Sequence, residues 1–359
     1  MRTGHARARV GARVLFRRGE DVRMDMLTGL LAGPQARGAF LLKSVLDPPW
    51  SVRIEDRAPL SVVTMVQGSA WLLPDEQGAE PVRIGPGDVA VVRGPVPYTV
   101  ADQPDTPVQI TVGPDQRCST QQGEDVSDSM ALGVRTWGVA RPGAGAAVML
   151  SGTYQAPGEV GGRLLGALPT ILVRPAGAAD STLITLLASE ISSDEPGQEV
   201  VLDRLLDLLL IGVLRAWLAA PGSGAPGWFR AQGDPVVGPA LRLLHESPAH
   251  GWTVEELALK VGVSRASLAR RFTEVVGEPP VGYLTGWRLT LAADLLREPD
   301  ATVEKVARKV GYSSAFALSA AFKRVRGVSP REFRSGTTAP GAAMAQGPRG
   351  TVVLGRAVS

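Results

Sequence analysis

The residues whose types and spacing carry chemistry lie in a repeat within residues 235–334. TVEELALKVGVS (253–264) recurs as TVEKVARKVGYS (302–313), an offset of 302 − 253 = 49. Beyond this stretch the offset is 50, pairing Leu268 with Leu318, Phe272 with Phe322, Gly277 with Gly327 and Pro280 with Pro330, so the second copy holds one extra residue. Each copy continues into a basic segment, with Arg265 and Arg270 in the first and Lys323, Arg324 and Arg326 in the second. A guanidinium on a helix suits two targets. One is a phosphate oxygen; the other is the O6/N7 edge of guanine, which arginine bonds bidentately.

Other chemistry is nearly excluded. One cysteine, Cys118, permits no intramolecular disulfide and no Cys-based metal cage. It stands in the polar, aperiodic stretch PDQRCSTQQGEDVSDS (114–129), which reads as a loop. The three histidines are His5, His245 and His250, too few and too scattered for a His-rich metal centre. No metal and no cofactor is expected, and no catalytic residue is assigned.

The net charge of +3 hides a division along the chain. Residues 1–23 carry seven Arg against Glu20 and Asp21, for +5; residues 24–234 hold 14 basic and 23 acidic side chains, for −9; residues 235–334 hold 15 basic and 10 acidic, for +5. An acidic body joined to a basic C-terminal module points to a polyanion as that module's partner. The most apolar stretch, VVLDRLLDLLLIGVLRAWLAA (200–220), is interrupted by Asp203, Arg204, Asp207 and Arg215 and falls short of a membrane span. The N-terminus is basic without an apolar core, unlike a signal peptide, so a cytoplasmic protein is expected.

The elements that must position the basic residues follow from periodicity. In each repeat a Thr–x–x–Glu/Lys start, a Gly (Gly262, Gly311) and a Ser (Ser264, Ser313) read as helix, left-handed stop and new cap: a helix–turn–helix. In the first second helix Leu268, Phe272 and Val275 turn inward, leaving Ser264, Arg265, Ala266, Ala269, Arg270 and Thr273 toward a DNA groove. In the second, Leu318, Phe322 and Val325 turn inward, leaving Ser313, Ser314, Phe316, Ala320 and Lys323, with Arg324 and Arg326 placed for phosphates. Between the copies, 281–299 reads as one helix of about 28 Å at 1.5 Å per residue. That is near the ~34 Å of one B-DNA turn, so two recognition helices can enter successive major grooves.

Upstream, residues 50–112 read as short Val- and Ile-rich strands (60–73, 81–84, 88–92, 108–112), followed by strand-like pieces at 131–139 and 146–154. Such spacing predicts a sandwich or small barrel. Trp50, Met65, Trp71, Tyr98 and Trp137 are its candidate effector-pocket residues. From 181 the period becomes helical. The two segments 181–191 and 200–220 form a predicted hairpin, and Leu202, Leu205, Leu206, Leu209 and Trp217 are candidate dimerisation residues. PGSGAPG (221–227) opens a linker that runs to about 234.

Here the residues reach a known family. SRASLARRFTEVVGEPPVGYLTGWRL and VARKVGYSSAFALSAAFKRVRGVSPREFR resemble the DNA-binding domain of AraC/XylS-family transcriptional regulators. MDMLTGLL, DPPWSVR, MVQGSAWLL and GPGDVAVV are similar to the cupin-like sensor domain of one branch of that family. The resemblance, which covers roughly 24–334, implies an α+β multidomain protein: a cupin-like β-barrel or jelly roll as sensor (24–180), a helical hairpin (181–220), a linker (221–234) and an all-α bipartite helix–turn–helix domain (235–334); outside it a basic, disordered extension (1–23) and a disordered tail (335–359) are expected. It implies double-stranded DNA, a small-molecule effector, a second copy of the chain and RNA polymerase as partners, with no membrane. Two positions depart from the family pattern. Tyr98 stands where sensor domains often have His, and Ala320 stands where relatives commonly carry Arg. Two other readings stay open: a cupin-fold enzyme with an appended DNA-binding domain, and a DNA-anchored protein-interaction module.

Overall fold

A computed structural model describes residues 40–154, 162, 165–220, 225–298, 300–335 and 350–354. The proposed extension 1–23 and the motif MDMLTGLL lie outside these residues.

The N-terminal half consists of two sheets. The larger has eight strands in the order β10-β11-β1-β12-β3-β6-β13-β14: β10 Ala131–Gly133, β11 Thr136–Gly138, β1 Phe40–Leu46, β12 Ala147–Tyr154, β3 Leu60–Gln67, β6 Val89–Arg93, β13 Ile171–Arg174 and β14 Thr351–Val353. The smaller has six, in the order β5-β4-β7-β2-β8-β9: β5 Val82–Ile84, β4 Ala70–Pro74, β7 Tyr98–Ala101, β2 Ser51–Ile54, β8 Ile110–Val112 and β9 Cys118–Thr120. The run read as 60–73 is broken by a turn at Gly68–Ser69, and the run read as 131–139 is a pair of strands.

Alternation along the large sheet explains its continuous apolar runs. Val63 and Met65 of β3, Ala90 and Val92 of β6, and Ile171 and Val173 of β13 enter a core shared with Trp50, Leu72, Ile84 and Val100 of the small-sheet region. Leu60 and Val62, Val89 and Val91, and Leu172 enter a second core on the opposite face. A sheet covered on both sides needs apolar side chains at consecutive positions, which is what these strands carry.

Two helices cover that opposite face: α1 (Ala178–Glu190) and α2 (Gln198–Ala219). Leu202, Leu206, Leu209, Leu210, Val213 and Trp217 of α2 are buried within the chain's own core. This corrects the expected dimerisation surface: Leu202, Leu206, Leu209 and Trp217 are fully packed inside one subunit, and Leu205 is half-buried beside them. A helix apolar on most sides needs cover on most sides, and here the sheet, α1 and the linker region supply it.

The expected linker is itself structured. Helix α3 (Gly227–Arg230) and a 3-10 turn (Ala231–Gly233) lie between the hairpin and α4 (Val237–Glu246). A Cβ on Gly227 would stand 2.7 Å from the Val275 carbonyl oxygen, so only glycine lets this segment sit on the end of the first recognition helix. Ala225 and Ala231 join the same core as the hairpin and the first helix–turn–helix. One apolar core therefore runs from the large sheet to the first helix–turn–helix unit. The second module has a separate core built on Leu289, Ala293, Val306, Leu318 and Phe322.

The C-terminal half continues with α5 (Val254–Lys260), α6 (Arg265–Val276), α7 (Pro280–Leu296), α8 (Val303–Val310), α9 (Ala315–Arg326) and α10 (Pro330–Arg334). Helix α7 joins the modules: Tyr283, Leu284 and Trp287 serve the first core, and Leu289, Ala292, Ala293 and Leu296 the second. It ends at Leu296, short of the expected 299. Among the described residues no helix is long and apolar enough to cross a membrane. The expected disordered tail is corrected in part, because Thr351–Val353 forms strand β14 on the large sheet.

Candidate nucleic-acid interface

The two helix–turn–helix units are built from local capping. Thr253 accepts a hydrogen bond from the Glu256 N–H and Thr302 from the Lys305 N–H, starting α5 and α8. Gly262 (φ +75°) and Gly311 (φ +88°) take the left-handed conformation that turns the chain. Ser264 caps α6 by accepting from the Ser267 N–H at 3.2 Å. In the second unit the cap is Ser314, accepting from Ala317 N–H at 3.2 Å, and Ser313 is exposed beside it. This corrects the expected cap at Ser313; the extra residue of the second copy moves the cap by one.

Leu268 and Phe272 anchor α6 from below, and Leu318 and Phe322 anchor α9. Val275 is only half-buried, and Val325, expected inward, is more than half exposed. On the outer face of α6, Arg265, Ala266, Arg270 and Thr273 are exposed and Ala269 is half-buried. The small alanines leave the backbone accessible between the longer side chains. Arg270 pairs with Glu274 one turn on, at 3.0 Å, and its side chain is 70% exposed, so the guanidinium is positioned yet available. The Thr273 hydroxyl donates to the Ala269 carbonyl at 2.9 Å.

On α9, Phe316 is 82% exposed and Ala320, Lys323 and Arg324 are exposed. Arg326 is half-buried, its guanidinium carbon 5.8 Å from the centre of the Phe322 ring. A largely exposed phenylalanine at the entry of a recognition helix is unusual for a solvated surface and suits contact with a thymine methyl.

The position of α6 depends on a group the sequence reading did not single out. Asp234 Oδ1 accepts from the Val236 and Val237 N–H groups, both at 2.9 Å, while Oδ2 accepts from Arg271 Nε at 2.9 Å and pairs with Nη2 at 2.8 Å. Burial tends to raise the Asp234 carboxyl, but the Val237, Val236 and Arg271 donors outweigh it and hold the acid below its ordinary range. One carboxylate thus starts α4 and pins the side of α6. Its signal was the Asp-Pro pair just ahead of an apolar helical period. Arg288 of α7 donates to the Pro248 and His250 carbonyls at 2.6 and 2.7 Å, fixing the loop before α5. Ser329 and Glu332 form a reciprocal capping box that starts α10.

In the cupin-like half, four of the five expected pocket residues belong to one buried core. Trp50, Met65, Tyr98 and Trp137 share the core between the sheets, while Trp71 is half-buried outside it. The indole nitrogens of Trp50 and Trp137 are buried with no hydrogen-bond partner among the described residues. Burial, with Asp56 nearby, holds the Tyr98 phenol well above its ordinary range. Cys118 lies in β9, not in a loop, and burial pushes its thiol up to about 11, leaving it protonated and inert. Among the described residues no three His, Cys, Asp or Glu side chains group as metal ligands.

Comparison with known proteins agrees with this layout. Residues 25–219 match a family described as Cupin, and residues 257–336 match one described as Helix-turn-helix domain. A putative AraC-like transcription regulator from Streptomyces antibioticus is 33% identical over 317 residues, covering 87% of this chain and 98% of that protein. The chain belongs to the AraC-like transcription regulators. A second member, from Streptomyces lividans, is 33% identical over 323 residues, covering 88% of this chain and all of its own length. The solved DNA-binding domain of AdpA, a global transcriptional factor in complex with a target DNA, is 32% identical, covers 29% of this chain and 93% of its own, with a TM-score of 0.28. This AraC-like regulator combines a cupin domain with a helix–turn–helix domain.

Proposed function

We propose that the regulator reads its operator mainly through α6. The observation that carries this is Arg270: it is exposed, oriented by Glu274, and flanked by Ala266 and Ala269, which permit close approach to the groove. Arg270 contacts a guanine edge, and Thr273 and Arg265 lie on the same exposed stretch of helix. In α9 the matching position is Ala320, so Phe316 supplies an apolar contact while Lys323 and Arg324 bind phosphate. Helix α7, 17 residues long, spans about 26 Å at 1.5 Å per residue and spaces the two recognition helices.

The sensor binds a small molecule in the core that holds Trp50, Met65, Tyr98 and Trp137. Two buried indole donors without partners favour a ligand with a hydrogen-bond acceptor on an apolar frame, since an unmade buried hydrogen bond costs roughly 1–3 kcal/mol. The protein acts as a regulator and not as an enzyme, a reading supported by Tyr98 standing where a metal-binding histidine is expected. A dimer forms through the outward faces of the hairpin, where Leu186, Val201 and Leu208 stay exposed. Contact with RNA polymerase follows if binding activates transcription. On this reading the units are a sensor (24–180), a hairpin (181–220), a linker (221–234) and a DNA-binding unit (235–334), although the first hairpin helix already begins at Ala178 and strand β14 returns to the large sheet.

Selection from a randomised duplex library tests the reading. Recovery of one motif with two half-elements about ten base pairs apart is expected. Recovery of DNA with no shared motif would overturn sequence-specific binding.

A further inference from the structure

The C-terminal segment returns to the sensor domain. Strand β14 lies parallel to β13, with Ile171 opposite Thr351, Leu172 opposite Val352 and Val173 opposite Val353. The Ile171 N–H donates to the Gly350 carbonyl at 3.3 Å, and the Leu354 N–H donates to the Val173 carbonyl at 2.8 Å. Leu354 is buried, and Val352 packs beside it against the core that also holds Leu172. The segment is the last strand of the sheet, so β13 without it would present an open edge of the sequence Ile-Leu-Val. An apolar open edge is a template for strand addition and for aggregation.

We propose that the edge of β13 is a strand-binding site whose ligand is the chain's own segment Gly350–Leu354. Recognition has the two parts of strand addition: main-chain hydrogen bonds for affinity, and alternate side chains for register. Gly350, Val352 and Leu354 turn their bonding groups to β13, as the two observed bonds at 350 and 354 require of a parallel ladder. The Val352 and Leu354 side chains enter the core and Val353 stays outside. The run TVVL, β-branched and bracketed by Gly350 and Gly355, stands out from the Gly-, Ala- and Pro-rich stretch before it. Its binding gives the DNA-binding domain a second attachment to the sensor, in addition to the linker. Residues 335–349 reach at most about 50 Å when fully extended, so the tether holds the segment near its site at an effective concentration in the millimolar range, roughly.

The test uses a fluorescent peptide of residues 348–357, PRGTVVLGRA, and a chain ending at Ala345. The peptide is expected to bind the shortened chain saturably at one per chain, and the full chain at least ten-fold more weakly, because the tethered copy competes. Proline at Val352 removes an N–H aimed at β13, while proline at Val353 removes one aimed away. The V352P peptide should lose binding by ten-fold or more relative to V353P. If the shortened chain aggregates, the same two substitutions in the full chain carry the test through hydrogen exchange. V352P should speed exchange of the Ile171 amide at least ten-fold over V353P. Equal behaviour of the two proline variants, or equal peptide binding to full and shortened chains, overturns the assignment. So does a full-length dimer that V352P converts to monomer, since the strand would then pass between copies.

Discussion

Replacing Asp234 by alanine removes three hydrogen bonds and an ion pair at once, and the structure sets what that costs. Two of them start α4; loss of a capping carboxylate costs about 1 kcal/mol. The third hydrogen bond and the ion pair come from Arg271, whose side chain is half exposed while that of Asp234 is 7% exposed. Solvent screening on the arginine side limits that ion pair to about 0.5–1 kcal/mol. Asp234→Ala should therefore destabilise the protein by about 2 kcal/mol, and Arg271→Ala by about half as much. A double-mutant cycle should recover a coupling of about 0.5–1 kcal/mol, because both changes remove the same pair. The pH dependence has a fixed sign. The folded-state pKa is depressed, so this stabilisation is complete above the ordinary carboxylate value of about 3.9. It is lost as pH falls through the lower folded-state value, and the penalty of Asp234→Ala should shrink there. Urea denaturation followed by tryptophan fluorescence measures all three quantities. An Asp234→Ala cost below about 0.5 kcal/mol, or additive single changes, would refute the view that this carboxylate holds α6 in place.

Leu209→Glu places a carboxylate in a fully buried site of α2 and should cost more than about 4 kcal/mol, seen as loss of the cooperative melt, not as clean dissociation of a dimer. Leu208→Glu, on the exposed face of the same helix, should leave the melting temperature within a few degrees and weaken self-association by sedimentation. Phe316→Ala should cost about 1 kcal/mol in operator binding and relax preference at one A·T position, with protein stability unchanged, because the ring is on the surface; binding to a substituted operator set checks it.

Much of the DNA-binding half was legible because its determinants are local. Gly262 and Gly311 sit at left-handed turns, Leu268 and Phe272 face inward, and the one-residue insertion lies where the offset changes. The same locality explains the errors. Ser313 and Ser314 both have cap chemistry, and only the turn geometry chooses Ser314. Val325 fits the inward period but falls at the end of its helix, beyond the neighbouring core. In the N-terminal half, the period-2 runs were readable, but β1, β2, β7, β9 and β13 are short or paired with distant strands. Pairings such as Ser44 with Trp137 or Leu172 with Val352 have no local signature. The apolar excess of α2 was legible; its partner was not, since a helix covered by its own sheet and one covered by a second copy share a sequence pattern. Asp234 and Arg271 lie far apart in sequence, so their pairing appears only once the chain is folded.

The central claim, that α6 reads bases while α9 mainly holds phosphate, is tested most directly by one comparison. Arg270→Ala and Arg324→Ala are measured against the randomised duplex library at several salt concentrations. Arg270→Ala should cost about 1–3 kcal/mol at the selected site and flatten preference at one or two bases. Arg324→Ala should weaken binding to all sequences alike and reduce the salt slope by about one unit. A change of base preference on Arg324→Ala, with none on Arg270→Ala, would contradict the account and make α9 the reader.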